Sequence, residues 1–137
     1  RGGNTTCNIV VSDEEIASPL FEKATHSMLL SSSAYDKFKE SIEDNGIIAY
    51  DSNIEHKETD PNINSVKIQA ANLSDSEIGN TKFMNMVALG AFAKATELIK
   101  VESLEKAIEK IIGEKNKDTC AANVKALKIG YEKGIIS

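Results

Sequence analysis

Residues able to do chemistry are concentrated at the opening, where Arg1-Gly2-Gly3-Asn4 places a cationic side chain beside two residues without a Cβ. A guanidinium fork next to unobstructed backbone N–H groups suits an anion such as a carboxylate or a phosphate. Asn4, Thr5 and Thr6 add polar contacts to that reading, and the same residues suit a solvent-facing turn and the start of a strand. Cys7 has no His or Lys beside it in sequence to lower its pKa, so it reads as a small buried hydrophobe in a strand and not as a nucleophile. Asp13, Glu14 and Glu15 stand together, but adjacent acids on a turn point apart, which makes them a solvated edge or a subunit contact instead of an acid–base pair. Asn85 lies inside a strongly apolar stretch, where a buried amide requires partners: a ligand, or the backbone of the core.

Other chemistries are excluded by composition. The 137 residues include two cysteines and two histidines; no C-x-x-C pair occurs, and His26 and His56 lie far in sequence from Cys7 and Cys120. No metal site is expected, and the ligands of an iron–sulfur cluster cannot be assembled. Sparse cysteine in a chain long enough to bury a core reads as free thiols in a reducing compartment, hence a cytoplasmic location. A formal net charge of −5 with no basic stripe argues against nucleic acid. The apolar runs are too short to cross a bilayer, and no charged segment with an apolar run opens the chain as a secretory signal.

The elements that must position these residues read as strands first and helices after. Alternation in TTCNIVVS predicts a strand over residues 5–12, and SMLLS supplies a second short apolar run over 27–31. Ser31, Ser32 and Ser33 are N-cap candidates for a helix over 34–44, in which Ala34, Phe38 and Ile42 recur every four residues, and Asn45-Gly46 ends it through a left-handed glycine. GIIAYDS predicts a third, buried strand over 46–52. SVKIQA predicts a fourth over 65–70, after the polar tract 53–64. Helical segments follow over 73–80, 81–99, 103–114 and 117–133, with Ser103 as an N-cap candidate. The fold class is therefore α/β: a layered sheet of about four or more strands with helices packed on it and a helical C-terminal half, forming one domain over residues 1–137.

The helix near 82–99 has almost no polar face, so it is expected to be buried nearly all round. Gly90 inside it costs helix stability and is explained by a close backbone approach, either in the core or at a subunit seam. The chain opens on Arg1 without an initiator Met, and the Arg-Gly-Gly turn reads as an internal loop, which leads to the expectation of a preceding segment.

Several blocks, in order, carry a family resemblance: RGGNTTCNIVVSDEEIASP, AYDKFKESIEDNGIIAYDSNI, EIGNTKFMNMVALGAFAKATELIKVESLEKAIEKII and NVKALKIGYEKG. Together they resemble the gamma subunit of 2-oxoacid:ferredoxin oxidoreductases of the 2-oxoglutarate or ketoisovalerate type, over nearly the whole chain. The family's opening strand and G-x-G-G-Q-G turn are not among these blocks. The resemblance implies an accessory subunit in a complex that converts a 2-oxoacid and coenzyme A to acyl-CoA, carbon dioxide and reduced ferredoxin. Thiamine diphosphate and iron–sulfur clusters are then held by partner subunits (alpha, beta and possibly delta), with none on this chain. Arg1, Gly2, Gly3, Asn4 and Asn85 are the expected cofactor-facing residues, toward coenzyme A and the 2-oxoacid, and no catalytic residue is expected here. A non-catalytic α/β binding or assembly module is the alternative that the same scaffold allows.

Overall fold

A computed structural model describes residues 5–55 and 60–136. The order of elements is β1 (Ala24–Leu29), α1 (Ser32–Phe38), β2 (Ile42–Asp51), β3 (Asn64–Ile68), α2 (Ala70–Leu73), α3 (Met84–Thr96), α4 (Val101–Ile108), α5 (Lys117–Lys133) and β4 (Ile135–Ile136). π-helical turns extend α2 over Ser74–Ile78 and α4 over Glu109–Gly113, and a 3-10 turn, Thr81–Phe83, leads into α3.

The sheet has the order β1-β2-β3-β4; β1, β2 and β3 are parallel and β4 is antiparallel to β3. A central parallel strand is covered on both faces and can be apolar throughout, which is why Ile48, Ala49 and Tyr50 are all buried in β2. On one face, α1 closes a cluster of Leu29, Tyr35, Ile42, Ile48, Tyr50 and Ile54, with the Tyr35 ring edge-on to Tyr50 at 5.7 Å. On the other, Ile68 meets Leu73 of α2, Val87, Ala88 and Ala91 of α3, and Ala126 and Ile129 of α5. A third cluster, Ile108, Cys120 and Leu127, binds α4 to α5.

Small residues set the spacing of the helical layer. A Cβ on Gly90 would collide with the Leu127 carbonyl and the Tyr131 N–H, and one on Gly130 would collide with the Val87 carbonyl. The two glycines therefore bring α3 and α5 into backbone contact. Gly90 is explained by packing inside this chain, not by a subunit seam.

The structure corrects several sequence expectations. Residues 5–23 form no strand, and their backbone makes no backbone–backbone hydrogen bond among the described residues. Ile9 and Val11 are 74% and 88% exposed, and Cys7 is exposed, so that thiol is not a buried strand residue. An alternating pattern alone does not make a strand; it needs an edge to pair with. The helix expected over 34–44 is Ser32–Phe38, capped by the Ser31 hydroxyl accepting from Ala34 N–H at 3.2 Å, and residues 42–44 already belong to β2. Asn45-Gly46 is not a helix end. It lies at a register irregularity of β2, where the pairs Ala24↔Ile42 and His26↔Ile47 leave extra residues on β2. There Asn45, not Gly46, takes the left-handed conformation (φ 66°), while Gly46 is required because a Cβ would come within 2.6 Å of Ile42 and 2.9 Å of the Thr25 carbonyl. α4 starts at Val101 after Lys100, with no side-chain cap, so Ser103 is not its N-cap. β4 was not expected; it exists because the chain leaving α5 meets the open edge of β3.

The close helix contact gives a direct test. Gly90→Ala and Gly130→Ala force α3 and α5 apart and should each lower stability by about 2–3 kcal/mol in chemical denaturation. Gly79→Ala, at φ 74° with nothing within 4 Å of a built Cβ, should cost only the left-handed conformation, about 1 kcal/mol. Equal losses at all three sites would contradict the steric account.

Burial, aided by Tyr50 and Asp36, raises the Tyr35 phenol above the ordinary tyrosine range. A raised folded-state value means the proton is held more tightly in the fold. That contribution is fully present below about pH 10 and is lost as pH climbs through the folded-state value. Burial raises the Tyr50 phenol in the same direction, so tyrosinate absorbance should show two phenols ionising late, and stability should fall over the same alkaline range; ionisation of every tyrosine at the ordinary value would contradict this.

Candidate functional site

Parallel strands send their C-terminal ends to one edge of the sheet, and open α/β sheets take ligands outside those ends. Here the edge is built by three turns: residues 30–33 from β1 into α1, residues 51–54 at the end of β2, and residues 69–72 from β3 into α2. The first turn carries three serines; Ser31 caps α1 and its hydroxyl lies 3.3 Å from that of Ser33.

The second turn is organised by Asp51, which is 2% exposed. Its Oδ1 accepts from Asn53 N–H at 3.0 Å and its Oδ2 accepts from Ala71 N–H at 3.0 Å. One carboxylate thus fixes the turn after β2 to the start of α2. A buried carboxylate without hydrogen bonds would be costly, and two N–H donors are the compensation. Above it, Asn53 Nδ2 donates to Asn72 Oδ1 at 3.3 Å, and both amides are exposed. The Ser52 hydroxyl oxygen is buried without a hydrogen-bond partner among the described residues.

The third turn is tied to the far end of the chain. Gln69 N–H donates to the Gly134 carbonyl at 2.9 Å, and Gln69 Nε2 donates to the Lys133 carbonyl at 2.9 Å. The segment leading to α3 is closed by buried Ser74, which donates to the Asn80 carbonyl at 2.6 Å, and by Asn80, whose Oδ1 accepts from Lys82 N–H at 3.0 Å. Glu77 of the π turn accepts from Lys133 Nζ at 3.1 Å, and its carbonyl accepts from Lys125 Nζ at 3.2 Å.

Of the residues singled out from sequence, Arg1, Gly2, Gly3 and Asn4 lie outside the described residues. Asn85 stands exposed in the first turn of α3, so it is not the buried amide expected from its apolar surroundings. The helix buries Val87, Ala88, Gly90, Ala91 and Ala93, and its remaining positions leave room for a polar side chain. No hydrogen bond joins Asn85 to the strand-end turns among the described residues. Asp51, Ser52, Asn53, Asn72 and Ser74 were not singled out. Their signal was the tetrapeptide YDSN, where a buried strand ends on three polar residues.

A parallel sheet layered between helices, with a polar carboxyl edge, defines an α/β domain. The family model for pyruvate ferredoxin/flavodoxin oxidoreductase matches residues 1–133, and the chain belongs to that family. It is 33% identical over 134 residues to the 2-oxoglutarate synthase subunit KorC of Methanocaldococcus jannaschii, a match spanning 96% of this chain and 70% of that protein. The KorC subunit of Archaeoglobus fulgidus is 30% identical over 134 residues, with 98% of this chain and 66% of that protein covered. The chain thus spans about two thirds of the length of these relatives. Among solved structures, the gamma subunit of keto/oxoacid ferredoxin oxidoreductase from Geobacter sulfurreducens superposes with a TM-score of 0.75 at 25% identity, over 89% of this chain and 66% of that one. A 2-oxoglutarate:ferredoxin oxidoreductase from Magnetococcus marinus, with 2-oxoglutarate, coenzyme A and succinyl-CoA bound, shares the fold with a TM-score of 0.75 at 22% identity, over 88% of this chain and 21% of that one.

The role of Asp51 is measurable. Asp51→Ala leaves two N–H donors unsatisfied and should lower stability by about 2–4 kcal/mol in urea, while Asp51→Asn keeps one acceptor and should lose roughly half as much. Equal stabilities for wild type and Asp51→Ala would contradict the assignment.

Proposed function

We propose that this chain works as the gamma subunit of a 2-oxoacid:ferredoxin oxidoreductase complex, which converts a 2-oxoacid and coenzyme A to acyl-CoA and carbon dioxide while reducing ferredoxin. The observation that carries the reading is the family match running through residues 1–133, together with KorC relatives at 30% identity or more along almost the whole chain. 2-Oxoglutarate is the 2-oxoacid to assay first, because it is the one named for those relatives. The partners are the other subunits of the complex and ferredoxin, the compartment is the cytoplasm, and residues 1–137 act as one domain.

Thiamine diphosphate and the clusters belong to the partner subunits in this reading. A four-cysteine cluster does not fit this chain, whose two cysteines, Cys7 exposed and Cys120 buried under α4, lie in different parts of the fold. No step of electron transfer is therefore routed through it. What the chain's own residues contribute is binding and placement. Arg1, with Gly2, Gly3 and Asn4, supplies a cationic fork and backbone donors for an anionic group of coenzyme A or of the 2-oxoacid. Asn85, exposed at the start of α3, supplies an amide to the same ligands or to a neighbouring subunit. The carboxyl edge of the sheet is the face we assign to the ligand.

Reconstitution tests this. Coenzyme A- and 2-oxoglutarate-dependent reduction of a viologen dye should require this chain together with its partner subunits, and the isolated chain should give no turnover. Arg1→Ala in the complex should raise the apparent KM for coenzyme A or the 2-oxoacid about ten-fold or more without loss of folding. Turnover by the isolated chain, or full activity of the complex without it, would contradict the proposal.

A further inference from the structure

The register irregularity of β2, at the amino edge of the sheet, holds the one Asn-Gly dipeptide of the sequence, Asn45-Gly46. The fold selects both residue types. A Cβ at position 46 would lie 2.6 Å from Ile42 Cγ2, 2.8 Å from the Glu43 carbonyl and 2.9 Å from the Thr25 carbonyl, so glycine is needed there. Position 45 has φ 66°, and asparagine is among the few residues with a Cβ that take the left-handed region readily. The sheet therefore fixes in place a side-chain amide followed by the least obstructed backbone nitrogen that a chain can offer.

That pair has a reaction of its own. After losing its proton to solvent base, the Gly46 nitrogen attacks Asn45 Cγ. A new N–C bond forms, the side-chain nitrogen takes up a proton and leaves as ammonia, and a succinimide ring remains. Water then opens the ring. Breaking the bond from Gly46 N to the former side-chain carbonyl gives Asp, and breaking the bond from Gly46 N to the α-carbonyl gives isoaspartate, whose main chain runs through the former side chain.

The native fold restrains both participants. Gly46 is buried, which keeps solvent base from its N–H, while Asn45 is exposed. Asn45 N–H donates to the Asn62 carbonyl at 2.7 Å, and Asn64 Nδ2 donates to the Asn45 carbonyl at 3.1 Å. For the Gly46 nitrogen to reach Cγ, the peptide between the two residues must rotate, and that rotation carries the Asn45 carbonyl away from Asn64. We infer that Asn45 is a deamidation site gated by the Asn64 side chain: closed while Asn64 clasps the Asn45 carbonyl, reactive when this end of β2 opens. The change is one-way. Isoaspartate lengthens the main chain inside the irregularity, and either product adds a carboxylate next to a cavity where Glu40, Asp44 and Asp60 already outnumber Lys23 and Lys39. Like charges at close range oppose re-closure of the edge.

The test follows the purified chain at mildly alkaline pH by peptide mass spectrometry, with isoaspartate read by enzymatic methylation. Residue 45 should lose its amide about ten-fold or more faster in urea-unfolded chain than in native chain, because reaction requires local opening. Asn64→Ala, shown to be folded by circular dichroism, should raise the native rate about three- to ten-fold, the effect of one lost hydrogen bond, and leave the unfolded rate unchanged. Asn72→Ala, which removes an amide at the opposite edge, should leave the rate at residue 45 unchanged. Chain deamidated at residue 45 should melt several degrees lower than intact chain. Equal native and unfolded rates at residue 45 would overturn the gated site, and this comparison needs no variant. No acceleration by a folded Asn64→Ala chain, or equal acceleration by Asn72→Ala, would overturn the role of Asn64. An unchanged melting midpoint after deamidation would overturn the one-way damage to the edge.

Discussion

The carboxyl edge of this sheet depends on a single buried charge. Asp51 ends the central strand with both oxygens committed to backbone N–H groups, one in its own turn and one at the start of α2. Because the group is almost wholly shielded from water, its hydrogen bonds are strong and its removal leaves donors without water to replace it. That carboxylate ties the turn that carries Asn53 to the start of α2, where Ala71 precedes Asn72. The polar pairing at the surface thus sits on a polar interaction below it, on a strand otherwise occupied by Ile48, Ala49 and Tyr50.

The layer behind the sheet supplies the rigidity. Gly90 and Gly130 let α3 and α5 approach to backbone contact, and alanines at positions 88, 91 and 126 keep the same layer thin against Ile68. The end of α5 then returns to the sheet, where Gly134 and Lys133 accept from Gln69 and Ile135 pairs with Ile68. The turn after β3 is in this way tied to the last helix, while Lys125 and Lys133 hold Glu77 in the segment that precedes α3.

What the sequence made legible follows from how local each signal is. The buried strand expected over 46–52 and the helix over 117–133 show plainly, because a run of apolar residues and a long helical stretch specify themselves. The arm at residues 5–23 misled, since Ile9 and Val11 alternate as a strand does but pairing is a property of two segments. Asn45-Gly46 misled for the opposite reason: the dipeptide does mark a left-handed residue, yet tertiary pairing with β1 turns it into an irregularity inside a strand and moves the left-handed conformation to Asn45. Asn85 drew attention as a polar residue in an apolar stretch, and the helix simply turns it outward. The polar cluster at the strand end was visible only as YDSN, because its meaning depends on Asn72, which lies 19 residues away from Asn53.

The central claim is that the carboxyl edge of the parallel sheet is the face turned to coenzyme A in the assembled enzyme. Hydrogen–deuterium exchange on the reconstituted complex, with and without coenzyme A, reads this at the level of single peptides. The account predicts slower exchange on addition of coenzyme A in peptides covering residues 50–55 and 69–73, with residues 39–44 and 60–65 at the opposite edge unchanged. Protection confined to the opposite edge, or none anywhere in this chain, would contradict it.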